Sequence, residues 1–424
     1  MTAFFRDLRS FAQKLKVPLI KQGAPTTSQK VYFRLLEDRL ALLFLRLPAL
    51  ILLASTLLSC TSSERFGRTL ATASTNWAAK ADLWVLSHQE PSGLFPYFFY
   101  PEQDQRVGDQ HALGQLIAGH RLAALTQSRP KLRAAHERHL ATIEAMGVKA
   151  NQGNEFLSLN NDHSLAAQAL YLRLLTASPV KSSEKRERAA RIARLLQTAW
   201  DADDGFPEFV DGTPTRSAFL KRFYTAQAAL ALIEHFLDTD IAESLRVARA
   251  AVNWLEETYP SEQRESFHPS QVPWLLEALV KLNDLTPDEL ISDRIFMLSD
   301  RLLELQDQAD FPGRFWLAKG PDYGRPNTVR DAQSTRVLLM ALELALDVGD
   351  ERRVKRYRRG ISLALDNLRA HQYEVGGVEA FPNPSGAVGA VRFRYNNALV
   401  RLDGVVFSAM AFEHAARLAW QGKL

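Results

Sequence analysis

Cysteine is almost missing from this chain, with a single example, Cys60, in 424 residues. Residues 61–424 can therefore form no disulfide, no thiolate metal centre and no cysteine nucleophile. A chain of this length does not need such staples, because a large core stabilises itself. The ten histidines include no i, i+4 pair, the spacing that sets two metal ligands on one helix face. Their closest pair is His136 and His139, on a stretch expected to be an outer helix, and neither a metal nor a cofactor is expected. Phosphate-cradling glycine loops and serine nucleophile elbows are also missing. A basic excess is missing where it would matter. The formal charge is +4, but residues 1–60 hold nine Lys/Arg and three Asp/Glu, a local +6 that leaves the remainder at −2. Nucleic acid is not an expected partner of that remainder. Long hydrophobic runs are scarce too. Leu47–Leu58, twelve residues, is too short to span a bilayer.

That run ends in Leu57-Leu58-Ser59-Cys60, which resembles the bacterial lipobox, where a small residue precedes a cysteine that is lipidated. Arg34, Arg39 and Arg46 supply the positive flank of a signal peptide. The resemblance implies a leader over 1–60 and lipidation at Cys60. It implies a lipid anchor in the membrane and a cell-envelope location, periplasmic or outer-membrane, with envelope proteins as possible partners. Thr61 stands where an inner-membrane retention signal would usually carry Asp. The alternative is an uncleaved anchor in which Leu40–Leu58 spans the bilayer with Arg46 near one end.

Residues 61–424 read as one domain with one repeated theme: a helix, a Gly/Phe/Pro-rich turn, and a second, more apolar helix. The expected pairs are 68–89 with 109–126, 131–148 with 162–176, and 184–200 with 216–237. They continue with 240–258 and 269–283, 287–307 and 330–347, and 350–371 and 396–420. Odd-numbered helices are charged, as in Arg352-Arg353-Val354-Lys355-Arg356. Even-numbered helices carry stretches that are apolar all round, such as Ala228–Ile233 and Val405–Phe412. Helices of the first kind face water on one side and those of the second are buried. Their alternation predicts an all-α (α/α)6 toroid of six hairpins with inner and outer helical rings. The pattern resembles the six-hairpin glycosidase-like toroids, a fold of glycoside hydrolases, polysaccharide lyases and sugar epimerases. An open α-solenoid is the competing architecture.

In such a ring every outer-to-inner connection emerges at one rim, so the residues opening the inner helices should converge there. These include Asp109 and His111, then Asn161, Asp162 and His163, then Arg222 and Tyr224. They continue with His268 and Trp274, Asp331 and Arg336, and Arg401 and Asp403. Asp is also a common helix cap, and Arg401 with Asp403 could form a buried structural pair. Burying so many polar groups without partners is costly, which favours a shared polar cavity.

Two chemistries suit that cavity. Hydrolysis of a glycosidic bond needs a pair of carboxylates, and Asp109, Asp162, Glu208 and Asp331 are the candidates. Elimination or epimerisation at a uronate needs a group neutralising the carboxylate, a base and an acid. The stretch Asn160-Asn161-Asp162-His163-Ser164, followed by Asp204-Gly205-Phe206, Arg216 and Tyr224, resembles toroidal alginate lyases. That resemblance implies Asn161 as the neutralising group, His163 as base, Arg222 or Arg216 as orienting residue and Tyr224 as acid. This chain departs from the pattern by carrying Asp162 between Asn161 and His163. The substrate-binding set is His111, Asn161, Arg222, His268, Trp274, Arg336, Arg401 and Asp403. The expected function is a carbohydrate-active envelope lipoprotein acting on an exported or cell-surface polysaccharide or oligosaccharide. Its hydrolase form is favoured over a lyase or epimerase. The alternative is a non-catalytic glycan-binding or scaffold lipoprotein of a polysaccharide export system.

Overall fold

The structure is a computed structural model. It describes residues 67–424 except 109–110, 152–153, 216, 260–266 and 316–325. The leader and Cys60 lie outside the described residues, as do Asp109 and Arg216. The chain divides into Met1–Phe66 and a compact unit, Gly67–Leu424.

That unit is built of six helical hairpins. The outer helices are α1 (67–87), α3 (Arg133–Gly147), α5 (Ser183–Ala199), α7 (Ala242–Thr258), α9 (Glu289–Glu304) and α11 (Glu351–His371). The inner helices are α2 (Ala112–Ser128), α4 (Leu165–Ala177), α6 (Ala218–Thr239), α8 (Val272–Leu285), α10 (Thr328–Asp347) and α12 (Leu402–Trp420). Sequence explains the two layers. In α4, Leu-Ala-Ala-Gln-Ala-Leu-Tyr-Leu offers no polar face, and every residue from Leu165 to Leu175 is buried. In α11, Val354, Tyr357, Ile361, Ala364 and Leu368 form one buried stripe while the arginines between them face outward.

The inner helices touch in cyclic order, α2 to α4, α6, α8, α10 and α12, and α12 returns to α2. Closure decides for the toroid over the open solenoid. The first and last hairpins are clasped by a small antiparallel sheet. Strand β1 (Phe98–Tyr100) lies between β2 (Gln105–Val107) and β5 (Val400–Arg401), with Phe98 opposite Arg401 and Phe99 opposite Val400. A separate core of Trp84, Phe95, Tyr97, Phe99, Leu402, Val405 and Val406 fills this seam. The connecting glycines are where backbone must meet the next outer helix. At Gly313 a Cβ would run into the Leu363 carbonyl of α11. At Gly389 it would run into the Lys80 carbonyl of α1, across the seam, and both residues have φ near +90°.

Several inner helices start later than the sequence suggests. Asn160 and Asn161 do not open α4. Both have positive φ, 51° and 60°, and they form the tip of a tight turn in which the Asp162 amide donates to the Leu159 carbonyl at 2.9 Å. Two consecutive left-handed residues define a type I′ turn, and Asn is among the residues that tolerate it. Ser164 then caps α4. Before this turn, β3 (Val148–Asn151) and β4 (Asn154–Leu157) form a hairpin where a simple turn was expected. The last inner helix begins at Leu402, not at residue 396, because Val400 and Arg401 are taken up by the clasp. No helix among the described residues is long and apolar enough to cross a membrane.

Candidate functional site

Chain geometry makes the two rims unequal. Inner helices return to outer ones through short links, such as 240–241 and 286–288, whereas the outer-to-inner connections run to 24 residues over 88–111 and 30 over 372–401. The polar groups of the rim at the inner-helix N-termini therefore sit on long connections.

One cluster there centres on Tyr97, which the Gly-Leu-Phe-Pro-Tyr-Phe connection delivers beside the start of α12. Its hydroxyl donates to Asp403 Oδ2 at 3.0 Å. Arg401 bonds the same carboxylate and also donates to the Tyr97 hydroxyl. The Gly404 amide donates to Asp403 Oδ1 at 2.9 Å. Burial, then the Asp403 charge, pushes the Tyr97 phenol far above its ordinary value, so it stays protonated. The His111 ring stacks on Tyr97 with centroids 3.6 Å apart and planes 6° from parallel. His111 Nδ1 caps α2 by accepting from the Gly114 amide at 3.1 Å, which leaves its proton on Nε2. Burial holds His111 below its ordinary value against the opposing pull of Asp403, so the ring is neutral.

The second cluster joins two connections. The Leu165 amide donates to the Glu208 carbonyl and the Val210 amide to the His163 carbonyl, which sets segment 163–165 beside 208–210. Asp162, half-buried, accepts from the Ser164 amide at 2.9 Å. Glu208, buried, accepts from the Ser217 amide at 3.0 Å, at the start of α6. Tyr224, nearly two turns into α6, is pushed up to about 12 by burial and then by the charges of Asp162 and Glu208. Asp162 also acts on His111. Asp162 thus lies close enough to both clusters for its charge to act on His111 and on Tyr224.

His163 belongs to this rim, but both its ring nitrogens are engaged. Nδ1 is 2.6 Å from Asp211 Oδ2 and Nε2 is 2.7 Å from Ser158 Oγ. Burial works to raise Asp211, yet hydrogen bonds from His163 and Thr213 outweigh it and bring the carboxyl down to about 2. The side chain is pinned between a carboxylate and a buried serine. Asn161 is exposed at the turn tip.

Other expected members lie elsewhere. Asp331 is enclosed between the helical layers. Its Oδ1 accepts from the Phe315 amide at 3.0 Å, and its Oδ2 accepts from Asn367 of outer helix α11 at 3.1 Å. Both oxygens are spent on tying a connection to the outer ring, so its place in the funnel is not supported. Arg336 lies down the bore, paired with Glu277 at 2.6 and 2.7 Å. Trp274 is buried in the ring, edge-on to Phe223 and Phe407, with the Arg173 guanidinium 5.5 Å over its face. Arg222 stacks on Tyr259 at 4.3 Å, and His268 packs on Phe219 at 4.4 Å. These two line a small separate cavity of about 40 Å³ with Phe267 and Gln271.

Sequence reasoning missed the buried charges of the bore. Arg173 of α4 bonds Glu234 of α6 at 2.8 and 3.0 Å and reaches Glu277 of α8 at 3.3 Å. Glu277 is in turn gripped by Arg336 of α10. Four consecutive inner helices are stitched through two carboxylates. The signal was present as single charges inside apolar runs, as in Leu172-Arg173-Leu174, Ile233-Glu234 and Leu276-Glu277-Ala278. Tyr97 was also missed, hidden among turn aromatics. Among the described residues no group of three or more His, Asp or Glu could hold a metal ion.

No protein-family model matches the chain, and no curated protein matches it in sequence. Solved structures do match in shape. A D-mannose isomerase superposes with a TM-score of 0.62 at 14% identity, over 82% of this chain and 97% of its own. The GH76A α-1,6-mannanase of Salegentibacter sp. HEL1_6 gives 0.61 at 12%, over 81% and 99%. The cellobiose 2-epimerase of Spirochaeta thermophila DSM 6192 gives 0.60 at 13%, over 82% and 98%. An inactive variant of that mannanase holds α-1,6-mannotetrose. The chain therefore has the (α/α)6 toroid fold of the six-hairpin glycosidase-like proteins, at identities that speak for fold alone.

Proposed function

We propose that this chain is a carbohydrate-active protein of the cell envelope whose saccharide site is the rim around Tyr97, His111, Asp162, Glu208 and Tyr224, and that its reaction is glycosidic hydrolysis. The observation that carries this is the backbone pairing of segment 163–165 with 208–210, which draws the connections bearing two carboxylates, Asp162 and Glu208, together at the start of α6. Hydrolysis uses such a pair as acid and base or nucleophile. Tyr224, protonated to about pH 12, serves as a hydrogen-bond donor to a sugar oxygen. The stacked Tyr97–His111 pair, with Arg401 locked behind it, forms a rigid wall for a sugar ring. Shape similarity to proteins acting on mannose, mannan and cellobiose supports the substrate class. The elimination route is less favoured because His163, its base, already has both nitrogens occupied.

The test incubates purified protein with neutral and acidic polysaccharides and follows new reducing ends alongside ultraviolet absorbance. Asp162→Asn and Glu208→Gln should each lower reducing-end release by roughly 10²–10⁴-fold while leaving the melting temperature close to the parent's. An ultraviolet-absorbing product that depends on Tyr224 would replace hydrolysis with elimination. Saccharide binding without any product would hand the function to a non-catalytic glycan binder. Envelope location rests on the Leu57-Leu58-Ser59-Cys60 run. Labelled palmitate should enter the parent chain and not Cys60→Ala.

A further inference from the structure

The strongest unassigned charge on the molecule lies on outer helix α11. Residues 352–359 contain six Lys/Arg: Arg352, Arg353, Lys355, Arg356, Arg358 and Arg359. Arg353 and Arg356 pair with Asp300 of α9, and Arg353 also with Asp350. Arg352, Lys355 and Arg359 are exposed and have no ion-pair partner among the described residues. Arg352, Lys355, Arg356 and Arg359 stand at i, i+3, i+4 and i+7, so they share one face, where like charges one turn apart repel and weaken the helix. With Leu303, Gln306, Gln308 and Gly360 they line a groove of about 420 Å³ that contains no carboxylate. Gly360 lets Leu303 of α9 pack directly on the α11 backbone at the floor of this groove, since a Cβ there would run into it. Three unpaired cations beside a carboxylate-free hollow, with Arg356 held by Asp300, repel one another and suit an anion.

The groove's position suggests which anion. Outer helices start at the rim where inner helices end, so the first turn of α11 lies toward the end of the toroid away from the Tyr97–Asp162 site, while the groove's other wall, Leu303, Gln306 and Gln308, comes from the end of α9 and the connection that follows it. The C-terminal tail shares that end. Arg358 donates to the Lys423 carbonyl at 2.8 and 3.1 Å, and the backbone at Gly67, where α1 begins, lies against the Ala419 carbonyl. The basic face and the point where residue 67 receives the preceding chain are thus neighbours. Six residues separate Cys60 from Gly67, a reach of at most about 25 Å even if fully extended.

We propose that the basic face of α11 docks on anionic phospholipid headgroups of the bilayer that holds the Cys60 anchor, with the groove taking a headgroup phosphate. This rests on the lipidation proposed above. One acyl-type anchor combined with a basic patch is the usual two-signal route to stable membrane attachment.

The experiment uses the full chain carrying Cys60→Ser, so that docking is read without the lipid. Partition is measured onto vesicles of phosphatidylcholine alone and of phosphatidylcholine with phosphatidylglycerol. Added phosphatidylglycerol should strengthen binding, and salt should reverse the gain. The combined substitution Arg352→Gln, Lys355→Gln and Arg359→Gln should weaken binding to the anionic vesicles by roughly a hundredfold, from about a factor of five per charge. Binding to neutral vesicles and the melting temperature should not change. Equal binding of parent and variant to anionic vesicles overturns the proposal. So does loss of polygalacturonate retention in the variant with vesicle binding intact, which would assign the face to an acidic glycan. A failed palmitate incorporation at Cys60 with charge-dependent vesicle binding preserved would remove the anchor and leave the docking face standing.

Discussion

Removing the Glu277 carboxylate should be among the most damaging single changes in the inner ring. Glu277 is 3% exposed and bridges Arg336, at 2.6 and 2.7 Å, and Arg173, at 3.3 Å. Burial works to raise its pKa, but the Arg336 and Arg173 charges outweigh that and hold it far below 4.5. Glu277→Ala would leave Arg336 with no carboxylate in the ring interior and Arg173 with only Glu234. Breaking a buried pair from one side costs about 3–5 kcal/mol. An unfolding entropy of about 2.1 cal/mol/K per residue then gives a fall of ~4–7 °C in melting temperature for a unit of this size. The pH dependence follows from the sign of the shift. A carboxyl whose folded value is depressed contributes its full stability above its unfolded value near 4.5 and loses it as pH falls toward the folded value. The deficit of Glu277→Ala should therefore be constant from neutral pH down to about 5 and shrink only in stronger acid. Calorimetry on the parent, Glu277→Ala, Arg336→Met and the double variant would test it. The double variant should be less harmed than the two singles added together. A melting temperature within about 1 °C of the parent for Glu277→Ala, or strict additivity, would refute the stitching role.

Asp331 should show the opposite pH behaviour. Burial raises it to about 6, so at neutral pH its charge is paid for by the fold, and Asp331→Asn should gain up to about 3 kcal/mol at pH 7, a gain that fades as pH drops toward 3.8. Denaturant midpoints at pH 4 and 7 would check this, and a larger gain in acid would contradict it. Asn161→Val should lose about 1–2 kcal/mol, because a β-branched residue resists φ near +60°, whereas Asn161→Gly should keep the turn. If Asn161→Gly also keeps saccharide turnover, the residue is a turn former and not a substrate ligand.

The fold was legible because its cause is local. Hairpin count, the alternation of charged and apolar-all-round helices, and the Gly-Phe connections all follow from helix periodicity and burial, and each is written along the chain. The β3–β4 hairpin and the Asn160–Asn161 turn were not anticipated. A short run such as Asn-Asn-Asp-His-Ser suits a helix opening as well as a turn, and only the pairing of 163–165 with 208–210 selects between them. The site was legible by region more than by residue. His111, Tyr224, Arg401 and Asp403 reach the expected rim, whereas Asp331, in the first turn of α10, points into the outer layer, and Arg336, more than two turns in, lies down the bore. Successive helical positions differ by about 100° in direction, so a helix N-terminus fixes a residue's height and leaves its facing open.

What the sequence determined alone is therefore the architecture and its polarity: a closed count of six hairpins and long connections gathered at one rim. Composition also set the −2 charge that disfavours a nucleic-acid partner and the absence of thiols beyond Cys60. Tertiary structure decided who meets whom. Tyr97 finds Asp403 across 306 residues, Arg173 finds Glu277 across 104, and His163 is fastened to Asp211 across 48. These partners lie on different hairpins, and no local rule relates their positions. Ring closure brings them within hydrogen-bonding distance, and burial makes each encounter consequential, because a charge or phenol removed from water must be answered by whatever group the fold puts beside it.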